Sequence, residues 1–335
     1  MNLREQTDKK KIMKILANDG VSEEGRKALE RAGYTVLTDN VPQDKLINEI
    51  NTQGIEILLV RSATTARKGL IDACPNLKMI GRGGVGMDNI DVDYARESGK
   101  KVINTPASSS QSVAELVMGN LYTISRFLHD SNRNMQAGDF KTLKKKYAKG
   151  VELRGKTIGI IGFGRIGQAL ASYALGSGMD VVAVDNDPRE VEIPVLIGTK
   201  KSINVTVKTQ KGLDQVLPNC DFLSIHIPKQ SNGEAVINTK EFAQMKNGVR
   251  IVNAARGGVI DEKALITALD KGKVAAAAID VYENEPNPMK ELLSHSKIAC
   301  TPHIGAATGE AQDRIGLELA DQIVKEFGEL KLAQV

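Results

Sequence analysis

A chain of 335 residues, 41% hydrophobic and 26% charged, has the composition of a globular protein rather than a disordered one, and is long enough for two domains of roughly 100–200 residues. Lys plus Arg number 45 against 41 Asp plus Glu, and the resulting net charge of +4 suits small anionic ligands. The chain has no Trp, and its basic runs Lys9-Lys10-Lys11 and Lys144-Lys145-Lys146 carry no interleaved aromatics, which argues against a stacking platform for nucleic acid and leaves both runs as solvated surface. Cys74, Cys220 and Cys300 are far apart with no CxxC pair, so neither a disulfide framework nor a metal site is expected, and a reducing compartment fits best. The N-terminus is polar and no window approaches ~18 apolar residues, so no secretory signal or membrane span is expected and a cytoplasmic location is the default.

Short apolar runs alternate with helical patterns from the start of the chain. Residues 13–17, 35–37, 55–60, 78–80 and 101–104 read as strands, with helices over 23–32 and 43–53. This is the βαβ rhythm of a parallel sheet covered on both faces. A second series follows residue 107. It opens with one long helical pattern over 111–136, apolar at Val113, Leu116, Val117, Leu121, Ile124 and Leu128, whose stripe suits a core or a subunit interface. Strands are predicted at 157–161, 181–184, 222–225, 250–252 and 274–279. Residues 187–207 lack clear periodicity and read as an inserted loop or short hairpin. The last helix, 309–327, has no strand after it and must pack elsewhere.

Gly162-Phe163-Gly164-Arg165-Ile166-Gly167 sits between a buried-strand pattern at 157–161 and a helix former at 168–175, the context that gives a GxGxxG sequence its meaning. Gly162 permits the tight turn, Gly164 lets backbone approach a pyrophosphate, and Gly167 allows close helix–strand packing. The helix N-terminus then offers free N–H groups and a positive dipole end. Asp185 ends the next strand, about 20 residues on, where a carboxylate accepts hydrogen bonds from the adenine ribose. With Asp187 it repels a 2′-phosphate, so NAD is expected over NADP, although Arg189 is a cation close enough to admit that phosphate.

Three later strand ends each supply polar groups, at the edge where ligands bind in open α/β sheets. Arg256 follows the first and can grip a carboxylate bidentately. Asp280 and Glu285 follow the second, and His303 the third. Hydride transfer to a ketone needs a proton donor and the reverse needs a base, and histidine serves both. A carboxylate at Glu285 would favour the imidazolium and orient the ring. His129 and His295 are expected at the surface. His226 reads equally as a structural residue or as part of a cofactor pocket.

With these residues in place the chain resembles the D-isomer-specific 2-hydroxyacid dehydrogenases over essentially its whole length, and within them the members that oxidise 3-phosphoglycerate. The likeness runs through RSAT at 61–64, GRGGVGMDNID at 81–91, NTP at 104–106, SVAE at 112–115, the glycine turn, NAARGGVID at 253–261, AAIDVYENEP at 277–286 and TPHIGAAT at 301–308. It implies that His303 is the acid/base, that Glu285 supports it, and that Arg256 binds the substrate carboxylate and reacting oxygen. It implies a second carboxylate cradle in the N–H groups of Val85 and Gly86, with Val85 also touching the cofactor. Further NAD contacts are implied at Gly162, Gly164, Arg165, Ile166, Gly167, Asp185, Ile227, Ala254, Ala255, Arg256, Asp280, His303, Gly305 and Ala306. The implied fold is α/β, two doubly wound parallel-sheet domains. A Rossmann NAD-binding domain, 108–303, is inserted into a discontinuous flavodoxin-like substrate domain, 1–107 and 304–335. The helix after residue 110 resembles the arm through which the family forms homodimers, with a tetramer as the alternative. No nucleic-acid or membrane partner is expected.

The resemblance further implies oxidation of D-3-phosphoglycerate to 3-phosphohydroxypyruvate, the first step of L-serine synthesis, with Arg61 as phosphate ligand. Some relatives carry a second arginine where this chain has Ala63, and the basic stretch 141–149 could assist. Reduction of hydroxypyruvate, glyoxylate or another 2-keto acid is the alternative, and an NAD-sensing corepressor-like protein a remoter one. Longer members append a regulatory domain, and with the sequence reaching Val335 no serine feedback is expected.

Overall fold

The computed structural model describes residues 13–330; the Lys9–Lys11 run lies outside the described residues. In chain order the elements are β1 (Lys14–Ala17), α1 (Glu23–Arg31), β2 (Thr35–Leu37), α2 (Leu46–Gln53), β3 (Ile57–Val60), α3 (Lys68–Ala73), β4 (Met79–Arg82), α4 (Val92–Glu97), β5 (Lys101–Asn104), α5 (Ser110–Arg126), α6 (Leu128–Met135) and α7 (Phe140–Lys146). There follow β6 (Thr157–Ile161), α8 (Arg165–Gly176), β7 (Asp180–Val184), β8 (Glu190–Ile197), β9 (Lys201–Gln210), β10 (Phe222–Ile225), α9 (Thr239–Gln244), β11 (Val249–Asn253), α10 (Glu262–Asp270), β12 (Val274–Ile279), α11 (Lys290–Ser294), β13 (Ile298–Cys300) and α12 (Gly309–Phe327). The chain divides into two compact units, one up to Ser109 and again from Ala307, the other Ser110–Ala306.

In the first unit five parallel strands lie in the order β2-β1-β3-β4-β5, the flavodoxin-like arrangement. Strand β3 is buried at all four positions because helices cover both faces of a parallel sheet. Helix α12 finds its packing partner in α1, from the opposite end of the sequence. A Cβ on Gly25 would lie 2.6 Å from the Gly316 Cα, and one on Gly316 would lie 2.5 Å from the Ser22 Oγ, so the two helices meet backbone to backbone. The Tyr34 hydroxyl donates to the Gly328 carbonyl (2.7 Å), and Gln322 donates to the Asn104 carbonyl (2.9 Å).

The second unit holds an eight-stranded sheet in the order β13-β12-β11-β10-β6-β7-β9-β8. Apart from the antiparallel edge strand β8 it is parallel, and β9-β7-β6-β10-β11-β12 reproduces the Rossmann order 3-2-1-4-5-6. Two apolar cores cover its faces, one around Phe163, Phe222 and Leu121, the other around Ile251, Leu265 and Phe242. The strand order reverses between β6 and β10, the switch point where such sheets bind ligands.

Two expectations are corrected. The helix expected over 111–136 is two helices, broken at Phe127, whose φ of 56° is left-handed. The carbonyls that would continue α5 are taken from elsewhere: that of Ser125 accepts the Val151 N–H (3.0 Å) and that of Ile124 accepts from Arg250 (3.4 Å). The segment read as a loop or short hairpin is a long one, β8 and β9 pairing over eight residues each from Glu190↔Lys208 to Ile197↔Lys201. Val191, Ile193, Val205 and Val207 alternate along it, and Ile193 and Val207 are buried, so a period of two was present in the sequence.

Candidate active site

Gly162 directly follows β6 with φ +92°, and a Cβ there would meet the His226 carbonyl at 2.5 Å, so only glycine makes this turn. A Cβ on Gly167 would lie 2.3 Å from the Gly162 carbonyl oxygen, which is the close helix-to-strand packing expected of it. Gly164 is different, since nothing stands within 4 Å of where its Cβ would be. It is also the N-cap of α8, and among the described residues no side chain caps that terminus. Free N–H groups, a helix dipole and open space in front of them fit a dinucleotide pyrophosphate. Asp185 stands beside the turn, its Oδ2 accepting the Phe163 N–H (2.8 Å). Arg189 lies 3.2 Å from the Asp187 carboxylate and 3.8 Å from that of Asp185. Arg165 is exposed, while Ile166 in the first turn of α8 and Ile227 just past β10 are half-buried.

His226 directly follows β10 and is half-buried. Its Nε2 lies 2.8 Å from the Ser224 Oγ, its Nδ1 has no hydrogen-bond partner among the described residues, and burial pushes the imidazole down to about 4. This favours the structural reading of the residue. His129 and His295, expected at the surface, are half-buried there and engaged in exposed contacts. The His129 Nε2 meets the Ser296 carbonyl at 3.0 Å, and the His295 ring lies 3.3 Å from Asp270 with little of its side chain exposed.

The chemistry-bearing strand ends come together in the second unit. His303 Nδ1 lies 2.8 Å from Glu285 Oε2, and Glu285 Oε1 accepts the Tyr282 N–H at 2.9 Å. A carboxylate facing Nδ1 assigns that nitrogen the proton and leaves Nε2 for other chemistry. Burial raises the Glu285 carboxylate, but the bonds from His303 and Tyr282 and the charge of Arg256 outweigh it and hold the group below its ordinary value. Arg256 follows β11, and its Nη1 donates to the Ala255 carbonyl (2.6 Å). Ala254 and Ala255 beside it are almost fully buried. A cavity of about 410 Å³ opens next to the pair, with Pro286, Pro288, Leu293 and Cys300 in its lining.

His303 has φ 54°, an arrangement a non-glycine residue adopts only when its surroundings impose it. Asp280 imposes it. Its Oδ1 accepts from the Thr301 hydroxyl (2.6 Å) and the Ile304 N–H (2.8 Å), and its Oδ2 accepts the Gly305 N–H (2.9 Å). Asp280 was expected among the ligand contacts; it is fully buried with both oxygens engaged, and its place is beneath the turn that presents His303. Gly305 is likewise buried, its carbonyl accepting from Ser112, and Ala306 is half-buried. Thr301 and Tyr282 went unassigned in the sequence because their roles depend on contacts 21 residues apart (Thr301 to Asp280) and on a backbone N–H, neither of which leaves a local pattern.

Arg61, Val85 and Gly86 belong to the first unit, at the ends of the paired strands β3 and β4. Asp19 Oδ2 accepts the Arg61 N–H (2.6 Å), and Asn89 donates to the Arg61 carbonyl (2.8 Å), which fixes the backbone beneath the guanidinium. Among the described residues that guanidinium has no ion-pair partner. Val85 is exposed, and its carbonyl accepts from Asn104 (2.6 Å). Among the described residues no group of three or more His, Cys, Asp or Glu could hold a metal, and no helix is long and apolar enough to cross a membrane.

Residues 118–305, more than half the chain, match the family described as D-isomer specific 2-hydroxyacid dehydrogenase, NAD binding domain. A hydroxypyruvate reductase of Thermotoga maritima is 41% identical over 319 residues, covering 94% of this chain and 98% of that one. A D-3-phosphoglycerate dehydrogenase of Methanocaldococcus jannaschii is 38% identical over 94% of this chain, which spans only 57% of that relative's length. Among solved structures, a glyoxylate reductase from Paecilomyes thermophila superposes with a TM-score of 0.79 at 28% identity, covering 96% of this chain and 97% of that one.

Proposed function

From the premise that this chain belongs to the D-isomer specific 2-hydroxyacid dehydrogenase family and is an NAD-dependent dehydrogenase of D-2-hydroxy acids, we propose that it oxidises D-3-phosphoglycerate to 3-phosphohydroxypyruvate, a cytoplasmic step that opens L-serine synthesis. The observation that carries the chemistry is the 2.8 Å contact of His303 Nδ1 with Glu285. In this reading Arg256 and the N–H groups of Val85 and Gly86 hold the substrate carboxylate. His303 Nε2 takes the C2 hydroxyl proton as the C2–H electron pair leaves as hydride, and the C–O bond becomes a carbonyl. NAD, when bound, supplies the hydride acceptor. In reduction the same Nε2 returns the proton. Glu285 keeps the ring oriented and stabilises its charged form. The Gly162–Gly167 turn holds the pyrophosphate and Asp185 the ribose.

Arg61 supports a phosphorylated substrate, because its backbone is fixed while its guanidinium is left without an ion-pair partner among the described residues. A charge-assisted hydrogen bond contributes about 1.5–3 kcal/mol, or roughly 10- to 100-fold. Arg61→Ala should therefore lower kcat/KM for phosphohydroxypyruvate by about that factor and leave hydroxypyruvate nearly unchanged. NADH oxidation over phosphohydroxypyruvate, hydroxypyruvate, glyoxylate, pyruvate and 2-ketoglutarate checks both halves. Equal effects on all substrates would remove the phosphate role and favour the second reading, hydroxypyruvate reduction, which the 41% identity to the Thermotoga maritima protein supports. NADH binding with no turnover on any of them would point instead to an NAD-sensing protein.

The reading includes a homodimer. Tyr122, Leu128, Met135 and Phe140 on α5–α7 are 46%, 49%, 50% and 63% exposed, large apolar groups in one stretch of chain. Sedimentation equilibrium should give twice the 36.2 kDa chain mass, and a Phe140→Asp, Met135→Asp variant should sediment as a single chain. A wild-type protein that sediments as one chain ends this part of the reading.

A further inference from the structure

Glu262 is 5% exposed, yet it is a carboxylate with one oxygen, Oε2, buried and without a hydrogen-bond partner among the described residues. Burial raises it above the ordinary carboxylate value. A buried acid left half-satisfied costs stability, so its presence calls for a reason other than folding. Its second oxygen supplies one. Oε1 accepts the backbone N–H of Glu283 at 2.8 Å, and in return Glu283 Oε1 reaches the backbone N–H of Glu262 at 3.5 Å.

These two residues stand on the two loops that carry the proposed chemistry. Glu262 opens α10, directly after the segment from Arg256 to Asp261. Glu283 lies two positions before Glu285. The same loops touch at a second point: a Cβ on Gly257 would lie 1.8 Å from the Tyr282 carbonyl oxygen and 2.7 Å from the Glu283 nitrogen. Between those contacts the Tyr282 N–H donates to Glu285, and Glu285 faces His303. A displacement of Glu283 therefore moves Tyr282, then Glu285, then the imidazole. Asp261 does not duplicate this role, since its carboxylate caps α10 by accepting the Ala264 N–H (2.9 Å).

We propose that Glu262 is a positioning residue, tying the Glu285 loop to the Arg256 loop through the Glu283 N–H so that Glu285 holds His303 in the productive orientation. The inference rests on the roles of His303 and Glu285 given under the proposed function. Small misplacements in a reacting geometry cost up to about 100-fold. Glu262→Ala should lower kcat by about 10- to 100-fold while NADH affinity, read by fluorescence, stays within about twofold. Glu262→Gln, whose amide oxygen can still accept the Glu283 N–H, should recover kcat to within about threefold of wild type. Glu262→Asp keeps the charge but stops one methylene short, and should behave like the alanine variant; it serves if the alanine variant does not fold. The separating readout is a long-range ¹H–¹⁵N spectrum of the four histidines. In wild type and Glu262→Gln, His303 should show the Nδ1–H tautomer, and in Glu262→Asp or Glu262→Ala a mixture.

A fall in Tm with kcat and the His303 signal unchanged would reduce Glu262 to a structural residue and overturn the proposal. So would a Glu262→Gln variant as impaired as the alanine one. His303→Ala, measured alongside, keeps the two readings apart. If it retains turnover, the catalytic assignment fails. If it loses about 100-fold or more, as removal of an acid/base does, while Glu262→Ala does not fall, the clamp alone fails.

Discussion

In the proposed reading, cofactor choice rests on two side chains, Asp185 and Arg189. The Asp185 carboxylate is the negative group nearest the cofactor turn, and Arg189 lies 3.8 Å from it, engaged also with Asp187. Replacing Asp185 by Ser removes the charge that repels a 2′-phosphate and releases Arg189 toward it. With a charge-assisted bond at about 1.5–3 kcal/mol, the NADP/NAD ratio of kcat/KM should rise about 10- to 100-fold in Asp185→Ser, and steady-state kinetics with both cofactors checks it. An unchanged ratio would mean that the ribose lies elsewhere. His226 makes a different prediction. Its imidazole is pushed down from 6.5 to about 4 by burial, so below 6.5 the unfolded chain binds a proton that the folded one does not. Stability from this residue is complete above about 6.5 and drains as pH falls toward 4, by up to about 3 kcal/mol at about 1.36 kcal/mol per unit. Urea unfolding at pH 7 and pH 4.5 should show a smaller loss in His226→Gln than in wild type.

At the scale of elements, the strand ends matter more than the strands. The turn after β13 carries His303 in a left-handed conformation, and Asp280 at the end of β12 holds it there with three hydrogen bonds. The loop after β12 is fixed by Tyr282, whose hydroxyl donates to the Thr301 carbonyl, and by Glu262. These supports were not legible in the sequence. Asp280 and Thr301 look alike whether they face a ligand or each other, and only the fold tells which. Helix lengths show the same limit. The apolar stripe from Val113 to Leu128 reads as one helix because periodicity is local, while its break at Phe127 comes from Val151 and Arg250, distant residues that claim the last carbonyls. Conversely, the β8–β9 hairpin had its period of two in plain view. Pro194 and the polar residues between its valines weakened the signal over any short window.

For the whole molecule, the sequence by itself determined the α/β class, the glycine turn with its NAD preference, and the order of Arg256, Glu285 and His303. Each of these is carried by residues close together in the chain, where backbone sterics and alternation leave a direct mark. The last helix was legible only as an orphan. The tertiary structure gave it a partner in α1, through Gly25 and Gly316 meeting at backbone distance, so that the two ends of the described chain build one five-stranded unit, while the other unit is a single contiguous stretch of sequence. The structure also decided which carboxylates face outward and which are spent inside, since Glu285 meets His303 while Asp280 and Glu262 hold the loops beneath them. The reason is the same in each case: burial and hydrogen-bond partnership depend on segments far apart in sequence, and become defined only when the chain has brought them together.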